Sequence, residues 1–119
     1  MADHNELGNQ GEELAIQFLR KKGCKILHKN YRLRHMEADV ICQDKDELVF
    51  VEVKTRTRFE HADPDDVITN KKMKHLIDIA EDYIMTNNWE NETRFDVVIV
   101  VMNNPADIEH IEGAFTPNY

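Results

Sequence analysis

The sequence contains few of the residues that mark disulfide-rich, membrane-spanning or low-complexity proteins. Its 119 residues include only two cysteines, four glycines and three prolines. Cys24 and Cys42 lie in segments predicted to be buried, without a CxxC or Cys/His spacing, so neither a disulfide nor a zinc site is expected. The longest apolar run, Val97 to Met102, has six residues, whereas a membrane helix needs about 20. No membrane association is therefore expected.

The first residues, MADHNELGNQGEE, lack the basic start and apolar core of a signal peptide, which favours a cytoplasmic protein. The chain is 41% apolar and 32% charged, which is typical of a globular protein. Single domains cluster at about 100 to 150 residues. One domain spanning residues 1–119 is therefore predicted.

The net charge of −8 is unevenly distributed along the chain. Residues 76–119 contain nine acidic residues and one arginine, whereas Arg20 to His35 contain seven Lys and Arg and no acid. A basic run can be a solvated surface, but several of them brought together would neutralise the phosphates of nucleic acid. The candidate nucleic-acid-binding residues are Lys29, Arg32, Arg34, Arg56, Arg58, Lys71 and Lys74.

Hydrophobic periodicity predicts two helices and five strands. The helices are expected at about residues 5–22 and from an Asp63 cap and Pro64 to about 87, and the strands at about 25–30, 37–43, 47–55, 94–102 and 107–111. The helix between the strands ending near Thr55 and starting at Arg94 favours a parallel, right-handed crossover. The prediction is an α/β fold with a mixed central sheet and helices on both faces.

The strand FVEVKTR (50–56) combines valines with charged residues. Because side chains alternate along a strand, Phe50, Glu52 and Lys54 should share one face. If a two-residue turn joins this strand to the preceding one, Asp39 lies opposite Glu52 and Glu37 lies opposite Lys54. All four charged side chains are then expected on the same face.

Two carboxylates directly opposite each other repel, so Asp39 and Glu52 need either a shared proton or a cation. Mg²⁺ or Mn²⁺ would suit them, with the Val53 carbonyl as a further ligand. Such a centre, with Lys54 orienting or deprotonating a water, could hydrolyse a phosphodiester. Glu12, at the edge of the apolar stripe of the first helix, is a further candidate ligand or water anchor.

A second interpretation of the same residues is a surface ladder in which Lys54 neutralises Asp39 or Glu37. Exposed antiparallel faces often carry such pairs.

The set Glu12, Asp39 and Glu52-x-Lys54 resembles the PD-(D/E)xK nuclease superfamily. The stretches GNQGEELA, MEADVI, FVEVKTR, DDVITNKKMKHL and RFDVVIV, in this order, resemble the YraN family of small bacterial proteins, which is similar to archaeal Holliday-junction resolvases. The resemblance implies a restriction-endonuclease-like fold, with those four residues at active-site positions and Lys71 as a further basic position. It also implies an endonuclease acting on branched or structured DNA, and a homodimer, as in the related resolvases.

The segment MEAD departs from the GEID usual in that family, at Met36 and Ala38. A methionine in place of glycine is predicted to crowd a substrate phosphate. Two other functions are compatible with the sequence: a non-catalytic nucleic-acid-binding or adaptor module, and a structural protein whose acidic C-terminal third recruits a basic partner.

Overall fold

A computed structural model describes residues 4–57 and 67–117 of the chain. The elements are α1 (His4–Lys21), β1 (Lys25–Leu33), β2 (Met36–Asp44), β3 (Glu47–Arg56), α2 (Asn70–Asn87), β4 (Thr93–Val101) and β5 (Asp107–Phe115). The predicted elements are therefore all present, and β1 and β5 extend beyond their predicted ends. No helix in these two ranges is long and apolar enough to cross a membrane.

The start of α2 differs from the prediction. Thr69, with φ −79° and ψ 157°, is the N-cap, and its side chain accepts the N–H of Lys72 at 3.1 Å. Because a threonine in this conformation satisfies an otherwise unpaired amide, it begins a helix rather than continuing one. The prediction of one continuous helix from Pro64 is wrong, and Asp63 and Pro64 themselves lie outside the described residues.

The five strands form one sheet in the order β1-β2-β3-β4-β5. β3 and β4 are parallel, and the other neighbours are antiparallel. The mixed sheet and the parallel crossover are therefore confirmed. In the β2–β3 hairpin Asp44 pairs with Glu47 and Val40 with Val51, which confirms the two-residue turn and the predicted register.

The two helices cover opposite faces of the sheet. On the α1 side, Leu19 belongs to a buried cluster with Val49 and Val51. On the α2 side, Leu76 packs in a second cluster with Phe50. The predicted coverage of both faces is confirmed, and the two cysteines are buried free thiols.

The alternation of side chains in β2 is interrupted at Asp39. Val40 belongs to the α1-side cluster, whereas Met36 and Ala38 belong to the α2-side cluster. Residues 36, 38 and 40 would share one face in a regular strand, so the strand changes parity between Ala38 and Val40. On β1, Asn30 lies between Lys29 and Tyr31, which pair with Val40 and Ala38, and it has a positive φ of 52°. The irregularity therefore involves both strands of the pair.

A buried polar network lies in the N-terminal half of the β3–β4 pair. Asp96 is fully buried and accepts hydrogen bonds from Arg94 at 2.9 Å and from the Gly113 N–H at 3.0 Å. His110 Nε2 lies 2.7 Å from Asp96, and Lys22 Nζ lies 2.7 Å from His110 Nδ1. Although burial opposes ionisation, these hydrogen bonds hold the pKa of Asp96 below its usual value. The network therefore contains an ionised buried carboxylate.

Candidate active site

Helix α1 approaches β3 closely at Gly11. A β-carbon at this position would overlap Thr55 Oγ1 and lie 2.9 Å from the Thr55 β-carbon. Only glycine avoids this contact without a shift of the helix. The close approach places the next residue, Glu12, at the C-terminal end of β3.

Asp39 and Glu52 form the centre of the site. Asp39 Oδ2 accepts the Val53 N–H at 2.8 Å, and the Asp39 side chain lies close enough to Glu52 to influence the ionisation of that group. Glu52 is only 4% exposed. Burial, followed by the neighbouring Asp39 carboxylate, raises the pKa of Glu52 to about 9. Glu52 therefore keeps its proton at neutral pH, and a proton on one of two facing acids removes their mutual repulsion.

Glu12 is a third acid at this end of the sheet. Burial raises its pKa to about 7, with further contributions from the charges of Asp39 and Glu37. Lys29 opposes this shift. A carboxyl group with this pKa can give or accept a proton near neutral pH.

Glu37 does not lie where the hairpin alternation predicts. Its side chain is 3.1 Å from Arg32 Nε. The Asn30 amide, oriented with Nδ2 toward the acids, donates to Glu12 at 2.8 Å and to Glu37 at 3.1 Å. The prediction that Glu37 shares a face with Glu52 and Lys54 is therefore wrong, because the parity change at Asp39 turns Glu37 toward α1.

Two cavities flank the end of β3. The α1-side cavity has a volume of about 280 Å³, and its lining includes Glu12, Asp39, Val53, Lys54, Thr55 and Arg56. The α2-side cavity has a volume of about 390 Å³ and is lined by Glu52, Lys54, Thr69, Lys71, Lys72 and His75. Lys54 lines both cavities, so its ammonium group can contact an anion bound in either one.

Met36 lines neither cavity. Its side chain is 5% exposed and packs in the α2-side cluster beside Ala38. The prediction that it crowds the approach of a phosphate is therefore wrong, because the parity change directs both residues into the core.

The donor atoms fit a hard cation. Asp39 and Glu52 supply carboxylate oxygens from neighbouring strands, and the Val53 N–H is bound to Asp39 Oδ2 at 2.8 Å. Within residues 4–57 and 67–117, no three His, Cys, Asp or Glu side chains converge as a complete metal site. Mg²⁺ commonly keeps several waters and binds through one or two carboxylates. The arrangement suits that mode of binding rather than a cage made only of protein ligands.

Lys72 is a site residue that the sequence analysis missed. Its Nζ donates to the Glu37 carbonyl at 2.7 Å and lies 3.7 Å from Glu52 Oε2. Lys72 is four residues before Leu76 and seven before Ile79, both fully buried. This spacing places it on the inward stripe of α2, and that signal could have identified it.

The predicted nucleic-acid-binding residues are divided between two faces. Lys29 lies near Glu12, and Arg32 pairs with Glu37. Arg56 lines the α1-side cavity and Lys71 the α2-side cavity. The others are Arg34, which has a positive φ of 56° in the β1–β2 turn, Lys74, which lines a groove beside Phe115, and Arg58, which lies outside the described residues.

Comparison with known proteins places the chain in a family. The model of the Uncharacterised protein family UPF0102 matches residues 11–100. A UPF0102 protein of Flavobacterium psychrophilum is 40% identical over 116 residues, which cover 97% of this chain and 98% of the relative. One from Caldicellulosiruptor saccharolyticus is 44% identical, covering 92% and 97%, and one from Clostridioides difficile is 42% identical, covering 95% and 99%. The chain therefore belongs to UPF0102, the YraN family.

Proposed function

We propose that the protein is a metal-dependent nuclease that hydrolyses phosphodiester bonds at the end of β3. The observation that carries this proposal is the buried Glu52 beside the Asp39 carboxylate, with Lys54 lining one cavity with Asp39 and the other with Glu52. A buried carboxyl group beside a second acid is costly to a fold that makes no use of it. The resemblance of these residues to the PD-(D/E)xK superfamily supports the same chemistry, and branched or structured DNA is the substrate that it favours.

Each residue has a distinct task in this proposal. Asp39, Glu52 and the Val53 carbonyl would hold Mg²⁺ or Mn²⁺, which when bound would stabilise the charge that develops on the phosphate. Lys54 would neutralise a non-bridging oxygen and orient the attacking water. Glu12, whose pKa is raised to about 7, would accept or return a proton in the α1-side cavity.

Calorimetric titration with Mn²⁺ tests the metal centre. Wild-type protein is expected to bind Mn²⁺, whereas Glu52→Gln, which has nearly the same shape but no charge, should lose most of the affinity. Glu109→Gln, at an exposed position on β5, is the matched control and should bind like wild type. Equal binding by wild type and Glu52→Gln would contradict the proposed centre.

Cleavage assays test the catalytic role. With Mn²⁺ present, wild-type protein should cut a four-way junction or a linear duplex, and Lys54→Ala should bind Mn²⁺ without cutting. If Lys54→Ala and wild type cut at the same rate, the assigned role of Lys54 is incorrect.

A second function, non-catalytic nucleic-acid binding, is favoured by the position of Lys72. Its ammonium lies 3.7 Å from Glu52 and supplies a fixed positive charge beside the acids, where a metal would otherwise act. Duplex and junction binding with a steep salt dependence, but no cleavage with any divalent metal, would select this function.

A further inference from the structure

We infer that the α2-side cavity is a separate phosphate-binding site, which holds a phosphate group of the nucleic acid other than the one at Asp39. The inference rests on the proposed function only for the class of ligand, nucleic acid. The cavity lies on the other side of Lys54 from the cavity that Asp39 lines.

The lining of the α2-side cavity is mostly cationic. It comprises three lysines, a histidine, a threonine and one acid. The acid, Glu52, is buried, and its Oε2 lies 3.7 Å from Lys72 Nζ. Among the described residues, neither Lys54 nor Lys71 makes an ion pair with a carboxylate. Two full positive charges therefore face the cavity without a partner in this part of the chain.

Helix α2 adds to the positive potential. It has 18 residues, no acid in its first turn, and Thr69 as its N-cap on the cavity wall. The positive end of the helix dipole therefore points toward the same space as the lysines. An anion there would meet both the ammonium groups and the helix terminus.

His75 is sensitive to the positive charges in the α2-side cavity. Its ring lies 5.4 Å from that of His35 at an interplanar angle of 83°. Partial burial lowers the pKa of His75, and the nearby charges of His35, Lys71 and Lys72 lower it further. A bound anion would offset those charges, so the His75 ring is a natural probe for occupation of the cavity.

The charge of the cavity favours a terminal phosphate over an internal one. An internal phosphodiester carries one negative charge, whereas a phosphate monoester carries about −1.5 to −2 at neutral pH. Lys54 and Lys71, which have no carboxylate partner among the described residues, already offer more positive charge than a diester requires. The phosphate at a strand end is therefore the better match, and the two sources can be separated experimentally.

The first experiment is an NMR titration of the metal-free protein with inorganic phosphate, observed at the His75 ring. Saturable shifts and an increase in the His75 pKa are expected. Lys71→Ala should weaken phosphate binding about tenfold, since a charge-assisted hydrogen bond is lost. Lys25→Ala, an exposed lysine at the far end of β1, removes the same charge and should bind like wild type. Unsaturable shifts, or equal binding by Lys71→Ala and wild type, would overturn the inference.

The second experiment compares duplexes whose ends carry a 5′-phosphate, a 3′-phosphate or only hydroxyls, again without metal. Tighter binding of a phosphorylated end, lost in Lys71→Ala, would identify the terminal phosphate as the ligand. Equal binding of all ends, weakened by Lys71→Ala more than by Lys25→Ala, would identify an internal phosphate. Equal effects of the two substitutions on every duplex would overturn the site. Because no metal is present, these results are independent of whether Mn²⁺ binds at Asp39 and Glu52.

Discussion

Replacing Glu52 by glutamine should stabilise the protein, and the gain should increase with pH. The pKa of Glu52 is about 9, compared with an ordinary value of 4.5. A carboxyl group with a raised folded-state pKa contributes stability below its unfolded pKa and loses that contribution as pH rises through the folded value. The loss therefore spans about pH 4.5 to 9. Glutamine has no proton to lose, and its amide can still donate to Asp39.

The magnitude follows from proton linkage. One proton changes the free energy of unfolding by about 1.4 kcal/mol per pH unit within the window. The difference between Glu52→Gln and wild type should therefore be near zero at pH 4.5 and about 3 kcal/mol at pH 7. Such a gain is large for a domain whose total stability is about 5–15 kcal/mol.

Urea unfolding at several pH values between 4.5 and 8 would measure this difference. The single tryptophan, Trp89, packs against the α2-side cluster and provides a fluorescence signal. Glu109→Gln serves as the control and should show no pH-dependent gain. A difference between Glu52→Gln and wild type that stays constant with pH would refute the reasoning, because it would mean that Lys72 keeps Glu52 ionised in the folded protein.

Adding Mn²⁺ gives a second comparison of the stabilities of wild type and Glu52→Gln. A ligand that binds only the folded protein stabilises it by about 2.7 kcal/mol at 100 times its Kd. Saturating Mn²⁺ should therefore raise the free energy of unfolding of wild type but not that of Glu52→Gln. At pH 7 the advantage of Glu52→Gln over wild type should then disappear or change sign. An equal increase for both proteins would show that Mn²⁺ binds elsewhere.

Two further substitutions test the close approach of α1 to β3 and the buried network around Asp96. Gly11→Ala should lower the free energy of unfolding by about 1–3 kcal/mol, since its β-carbon overlaps Thr55. Gly8→Ala, with no atom within 4 Å, should instead gain up to about 1 kcal/mol from helix propensity; thermal denaturation that ranks the two equally would contradict the close approach. Asp96→Asn should cost about 1.5–3 kcal/mol at pH 7 because Arg94 loses the hydrogen bonds that it donates to a buried carboxylate. Since the pKa of Asp96 is lowered, this cost should shrink as pH falls below about 4. Urea unfolding measures this cost, with Asp46→Asn at an exposed position as the control. Similar losses of unfolding free energy for both variants would contradict a buried ion pair at Asp96.

The hairpin shows how much of the site local sequence can predict. The turn length and the alternation of β3 correctly place Val40 opposite Val51, and the register brings Asp39 to Glu52. These are short-range rules, because the turn and the period of two depend on neighbouring residues alone. They fail at Glu37, whose direction depends on a parity change opposite Asn30. That change is favoured by packing Met36 into the core beneath α2, which is a long-range contact.

The same distinction applies to α2. The sequence predicts a start at Asp63 and Pro64, because proline suits the first helical position. The described chain is helical only from Asn70, and this start gives Lys72 its position beside Glu52. The hydrophobic periodicity of α2 indicates that Lys72 points inward. It does not indicate the partner of Lys72, the Glu37 carbonyl, because that group is 35 residues away in the sequence.

The sequence by itself determined the order of helices and strands, the mixed sheet, the β2–β3 register and the identity of the acid pair. These properties follow from periodicity and turn length, which act between near neighbours. Tertiary structure alone decided that Lys54 stands between two cavities, that Glu12 comes close enough to feel Asp39, and that Glu52 is buried enough to keep its proton. The physical reason is that burial and electrostatic potential depend on which distant surfaces pack together, and here α1 and α2 enclose the end of β3 from opposite faces.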